Sequence, residues 1–470
     1  MRCKGGRTGQ TVGALALAAG LLAGCGGGGG EDGAVAAPPP GNAQPGPPAD
    51  PLAAEIATAA AAIRADSCTS AASCNWTERP YRPEEFAMAN GGGEALLVID
   101  NFPSLPVRAI RYRKRIKAYY RAVQGGLGAA STVWRVPSVL WDVLDRFTTP
   151  VQVAAHRLRE VGRAAASRYD ALQLDNAGHG SYVFSLLADA NPNQPLVVMG
   201  APDLHVMNRA DFCDTSGDAQ AQARLQDTAA RAAEQLREII RVQNVRYINY
   251  SAGHSLPQMR EGWPGACGTP APPDSILRAR LAAYAPLYAV MFGTPGVMTA
   301  HASAQAGAPV DFPYDQPAPD YRNRLRVGYF TSLASGLDAE GRGPHTGLDA
   351  WPSAGNADIY LNTGVLPQRP YAHNRTPLLQ IDGFGLDTIP ITGPQPSWVA
   401  PLAISRLIHL RHGSFAARQM DDALVAEVFA AATPTKCPDQ PQGRCRFQDP
   451  LLHGQLEAVR LQFRPLAYGP

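Results

Sequence analysis

The run Ala95-Leu96-Leu97-Val98-Ile99-Asp100 constrains the fold more than any other segment of the chain. Five apolar residues stand in a row before the acid, with no alternation of polar and apolar positions. A strand with one wet face alternates, whereas an unbroken run predicts a strand covered on both faces, the condition found in parallel sheets layered by helices. Pro195–Gly200, Val245–Tyr250, Gly296–Ser303, Leu325–Phe330, Asp358–Leu361 and Leu378–Ile381 are further strand candidates. Ala219–Val242 and Asp274–Val290, lying among them, carry helical periodicity, and Ser397–Leu410 and Asp421–Ala432 read as a closing helix pair. Strands alternating with helices predict an α/β fold, a three-layer, mostly parallel sheet with helices on both faces. No internal repeat is visible.

The N-terminus carries an address. Arg2, Lys4 and Arg7 precede the short apolar stretch Val12–Leu22, and Leu22-Ala23-Gly24-Cys25 resembles the lipobox of bacterial lipoproteins. The apolar run is too short to remain as a spanning helix. The resemblance implies cleavage before Cys25, acylation of its thiol and a protein tethered to a membrane by lipid. Gly26 follows the cysteine where an Asp would signal inner-membrane retention, so the outer membrane is the expected address. Residues 25–51 are Gly-, Pro- and Ala-rich and predict a flexible linker. The remaining divisions are a signal peptide (1–24), an extension that begins with the alanine-rich helix Leu52–Arg64 (52–93), the α/β domain (94–432) and a tail (433–470). A net charge of +2 argues against nucleic acid as the main partner. Cys68, Cys74, Cys213, Cys267, Cys437 and Cys445 remain once Cys3 and Cys25 are set aside, an even number in an oxidising compartment, so disulfides are expected. Local loop closure favours Cys68–Cys74 and Cys437–Cys445, which leaves Cys213–Cys267. No C-x-x-C pair supports zinc instead.

Three motifs follow in the order Asp, His, Ser. Asp100 ends its strand, where a carboxylate at the sheet rim can hold an imidazole. Asp175-Asn176-Ala177-Gly178-His179-Gly180-Ser181 puts a histidine, the natural general base near neutral pH, beside a glycine at a helix start. Gly180 is expected to let the backbone pass close to substrate. Pro396-Ser397-Trp398-Val399-Ala400-Pro401 opens an apolar helix with a serine and places a proline four residues later. Together these motifs make residues 94–432 resemble a divergent subtilisin-like serine peptidase. The resemblance implies an Asp100–His179–Ser397 triad that cleaves peptide bonds through an acyl-enzyme and needs no cofactor or metal. It further implies that Ser251 and Gly253, in Tyr247-Ile248-Asn249-Tyr250-Ser251-Ala252-Gly253, line the substrate edge and that Gln305 donates to the oxyanion. Its partners are then a protein or peptide substrate and the membrane reached through the lipid.

Some positions depart from the family pattern. Gln395-Pro396 replaces Gly-Thr before the serine, Tyr182 replaces a second histidine, and Asn101-Phe102 follows the aspartate in place of Thr-Gly. An insertion lies between Asp100 and His179, 79 residues apart. Within it, Arg111–Lys117 reads as a solvated helix face, with anionic lipid head groups as the sharper alternative. The altered serine loop leaves a catalytically impaired binding lipoprotein as the second reading. An esterase built on Ser251 is the third, lacking the first glycine of G-x-S-x-G. His409 and His412 end a helix, where imidazoles favour the dipole over a metal.

Overall fold

The computed structural model describes residues 51–88, 93–148, 153, 155–169, 172, 174, 179–302, 308–332, 345–346, 357–362 and 396–433. In chain order the elements begin with α1 (Pro51–Ala65), β1 (Trp76–Pro80), β2 (Ala95–Asp100), β3 (Ile116–Val123), β4 (Gly126–Ala129) and β5 (Val133–Pro137). Next come α2 (Ser138–Arg146), α3 (Arg159–Tyr169), α4 (His179–Ala190), β6 (Leu196–Gly200), α5 (Leu204–Met207), α6 (Arg209–Phe212), α7 (Ala219–Val242) and β7 (Val245–Tyr250). The remainder is α8 (Leu256–Cys267), α9 (Asp274–Ala282), α10 (Ala285–Gly293), β8 (Met298–Ala302), β9 (Arg324–Ser332), β10 (His345–Thr346), β11 (Ile359–Asn362), α11 (Pro396–His412) and α12 (Asp422–Ala432).

The main sheet runs β10-β9-β8-β7-β2-β6-β3-β4, with β11 also paired to β9. Within this sheet, among the described residues, only β4 and β10 run antiparallel to their neighbours, while β1 and β5 form a separate antiparallel pair. The central strand β2 is flanked by β6, with Asp100 opposite Gly200, and by β7, with Ile99 opposite Tyr250. Leu96 and Val98 join one core with α1, α3, α4, α11 and α12, and Leu97 and Ile99 join a second with α7, α8, α9 and α10. Both faces of β2 are therefore covered, which is the burial its unbroken apolar run demands. Chain order reverses around β2, since β3 and β6 lie to one side and β7, β8 and β9 to the other. A crevice opens at the carboxyl end of such a strand.

Local chemistry explains some of the element bounds. The Asp218 carboxylate accepts from the N–H groups of Gln220 and Ala221, so α7 starts where its first orphan donors find a cap. The segment expected as one helix, Asp274–Val290, is two, because Pro286 near the start of α10 has no N–H and opposes continuation of the preceding turn. Disulfides join Cys68 to Cys74 and Cys213 to Cys267. Cys25, Cys437, Cys445 and the strand candidate Leu378–Ile381 lie outside the described residues. Among the described residues no helix is long and apolar enough to cross a membrane.

The basic run is the largest departure from expectation. Arg111–Lys117 is neither a solvated helix face nor a lipid-facing patch. Val107–Arg115 forms a 3-10 helix, then β3 enters the sheet, and Arg108, Arg111, Arg113 and Arg115 are each at most 8% exposed. Their guanidinium groups bond inward. Arg115 donates to the carbonyls of Ala188, Asn191 and Gln194 just where α4 ends, and Arg113 pairs with Glu85 and Asp145. A buried guanidinium on helix-terminal carbonyls satisfies acceptors the helix itself cannot.

Candidate active site

Asp100 is the last residue of β2, and its side chain is 1% exposed. Its Oδ1 lies 2.7 Å from Nδ1 of His179 and also accepts from the backbone N–H of Asn101 at 2.6 Å. His179 is the first residue of α4, and its side chain remains 29% exposed. The carboxylate thus fixes the imidazole tautomer with the proton on Nδ1, which leaves Nε2 as the basic nitrogen that a general base requires.

Gly180 makes this contact possible. A Cβ there would sit 2.7 Å from the carbonyl oxygen of Asn101 and 2.7 Å from the ring of Phe102. The glycine lets α4 approach the segment that leaves β2, and its N–H donates to Asn101 O at 3.2 Å. Along the rest of α4, Tyr182, Val183, Phe184, Leu186 and Leu187 are buried. Arg115 closes the far end.

Ser397 enters on α11. Pro396 opens this helix, a position where its missing N–H would have been an orphan anyway. Ser397 is therefore the second helical residue and not the N-cap. Its Oγ donates to the carbonyl of Ser251 at 3.3 Å, and the Ser251 hydroxyl donates to the carbonyl of Ser397 at 3.5 Å. Pro401 explains the second bond: four residues on, it has no N–H to offer the Ser397 carbonyl, which turns to Ser251. Asn249, fully buried on β7, donates its amide to Ser251 Oγ at 2.9 Å. The Ser251 N–H donates to Ile99 O at 3.3 Å, one residue before Asp100.

Both helices run against the strands. α11 begins beside Ser251 at the carboxyl rim and ends at the amino rim, where Arg411 and His412 meet Glu94 at 2.8 and 3.4 Å. A bond of 2.8 Å from Asn191 to Ser405 joins the end of α4 to α11. Two helix N-termini therefore point their positive dipole ends at the rim where Asp100 lies. Burial, with Arg411 beside it and Glu94 opposing, lowers the pKa of His412. Among the described residues, no group of three His, Cys, Asp or Glu side chains could hold a metal ion.

The structure brings Asp100 to His179 and Ser397 to Ser251. Gly253 is partly exposed beyond β7, with only Gln258 Oε1, at 3.8 Å, near the place of a Cβ. Gln305 lies outside the described residues. Sequence reasoning missed a second acid–imidazole pair at this rim, Asp203 Oδ1 with His254 Nε2 at 3.2 Å. The one available signal was the position of His254 directly after Gly253. Comparison with protein-family profiles, curated proteins and solved structures found no match for the chain.

Proposed function

We propose that the chain is an extracytoplasmic serine endopeptidase of subtilisin-like type, anchored to the outer membrane through lipid on Cys25. The observation that carries this reading is the 2.7 Å contact of Asp100 with His179 at the end of the central strand, on the rim where α11 presents Ser397. In the proposed reaction the Ser397 hydroxyl leaves Ser251, turns about χ1 to His179 and attacks the peptide carbonyl. His179 Nε2 takes the hydroxyl proton and returns it to the departing amine. Asp100 stabilises the imidazolium that forms between these steps. The backbone N–H of Ser397 and the Gln305 amide would hold the oxyanion, and losing one such donor costs roughly a hundredfold to a thousandfold in rate. Water then releases the acyl group by the same sequence of proton transfers.

A second reading has its own observation. The Ser397 hydroxyl rests on the Ser251 carbonyl, and the sequence has Gln395-Pro396 before the serine where the family pattern has Gly-Thr, features that favour a catalytically impaired binding lipoprotein. Treatment with a fluorophosphonate and mapping of the modified residue separates the two. Labelling at Ser397 that is lost in His179→Ala supports the peptidase. An unlabelled chain that still binds peptides supports the binding lipoprotein. Labelling at Ser251 would overturn both and point to the esterase.

A further inference from the structure

The Asp203–His254 pair occupies a defined place beside the candidate triad. Asp203 lies three residues beyond β6 and His254 four residues beyond β7, the two strands that flank β2. Both extensions remain tied to the end of β2. Ala201 N donates to Asp100 O at 2.8 Å, and Ser251 N donates to Ile99 O. Asp203 and His254 thus bridge the gap past Asp100.

The bridge is held rigidly. The His254 ring stacks on Tyr284 with centroids 3.8 Å apart, its Nδ1 lies 2.9 Å from the hydroxyl of Tyr288, and that hydroxyl lies 2.8 Å from the hydroxyl of Tyr250. Tyr284 in turn accepts from the N–H of Leu204, the residue after Asp203, at 3.0 Å. Burial raises the pKa of Tyr250, Tyr284 and Tyr288 well above the ordinary phenol range, so all three stay protonated. The hydroxyls of Tyr250 and Tyr288 and the His254 ring thus form one hydrogen-bonded chain that ends on Asp203 Oδ1. The Asp203 side chain is 35% exposed, and its Oδ2 has no hydrogen-bond partner among the described residues. Beside the bridge, a Cβ on Gly253 would meet only Gln258 Oε1, at 3.8 Å.

An extended peptide laid across the rim between the two strand extensions would meet this carboxylate. We propose that Asp203, oriented by His254, is a specificity-determining residue that selects peptides presenting a lysine or arginine side chain at this bridge. The proposal rests on the peptide-handling reading of the rim given above. The incoming ammonium or guanidinium donates to Oδ2 in a charge-assisted hydrogen bond, and a glutamate in its place meets like charge.

The test uses the full chain carrying Ser397→Ala and fluorescent hexapeptide pools in which one position at a time is Lys, Arg, Gln or Glu. Anisotropy should show Lys or Arg pools binding about tenfold more tightly than Gln pools at one position, with Glu pools weakest. Asp203→Asn should remove that difference and leave Gln-pool affinity unchanged, and Asp203→Glu should restore part of it. Equal affinity for Lys and Gln pools at every position, or an unchanged preference in Asp203→Asn, overturns the proposal, as does failure of every pool to bind. The same pools offered to the wild-type chain test catalysis separately. Charge-selective binding without cleavage sinks the peptidase reading and leaves Asp203 in its role.

Discussion

Gly180→Ala tests the geometry of the candidate site without presuming what it does. The added Cβ falls 2.7 Å from the Asn101 carbonyl oxygen, about 0.7 Å inside the 3.4 Å at which ordinary contact begins. The neighbour cannot easily yield. The Phe102 ring is 2% exposed, and the Phe102 carbonyl is held by the Tyr119 hydroxyl at 3.0 Å. The start of α4 must therefore move, and the 2.7 Å bond from His179 to Asp100 moves with it. Overpacking of this kind costs about 1–3 kcal/mol, and misplacement of a base by about 1 Å costs on the order of a hundredfold in rate. Urea denaturation monitored by tryptophan fluorescence measures the first effect. The low-field proton resonance of a carboxylate-bound imidazole, assigned with His179→Gln, reports the second. Wild-type stability together with an unshifted resonance in Gly180→Ala would refute the close approach and the role assigned to the glycine.

Other expectations are independent of this one. Arg115→Met leaves the carbonyls of Ala188, Asn191 and Gln194 without their buried donor and should destabilise the chain by about 2–4 kcal/mol in urea. His301, 2% exposed on β8, has its pKa driven well below the ordinary 6.5 by burial, with Arg324 and Arg326 adding to the effect. The unfolded chain then binds the extra proton, so stability is level above about pH 6.5 and falls as the pH drops below it, by at most about 1.4 kcal/mol per pH unit for one proton. His301→Gln should flatten that acid limb in denaturation series run between pH 5 and pH 7. The Cys213–Cys267 disulfide closes a loop with a sequence separation of 54 residues, and replacing both cysteines by alanine should cost about 4 kcal/mol, read from the urea midpoint.

How far the sequence could be read depended on whether a residue announces its surroundings. β2 declared itself because five apolar residues in succession fit only a strand with no wet face. α7 was legible through the helical periodicity of Ala219–Val242. By contrast, β3 begins within a basic run, and composition assigns arginines to solvent. Nothing local reveals that Arg115 will end beneath α4, because its three acceptors lie 73 to 79 residues away. The Asp100–His179 contact could be anticipated since each residue sits in a recognisable strand-end or helix-start motif. Asp203 and His254, 51 residues apart and in no motif, meet only because β6 and β7 become neighbours of the same strand. The reciprocal bonds of Ser251 and Ser397 were half visible in Pro401, whose lack of an N–H frees a carbonyl without saying which group will take it.

α11 has a mechanical consequence. Its 17 residues reach about 25 Å, with the nucleophile candidate on its first turn, ahead of Pro401, and the Arg411–Glu94 clasp on its last. A helix pinned at its tail limits how far its head can slide along the axis. Loosening Glu94, a residue far from any bond being broken, should let the serine ride up or down against the floor of the cleft, so variants at the remote end are where tuning without touching the chemistry can be sought.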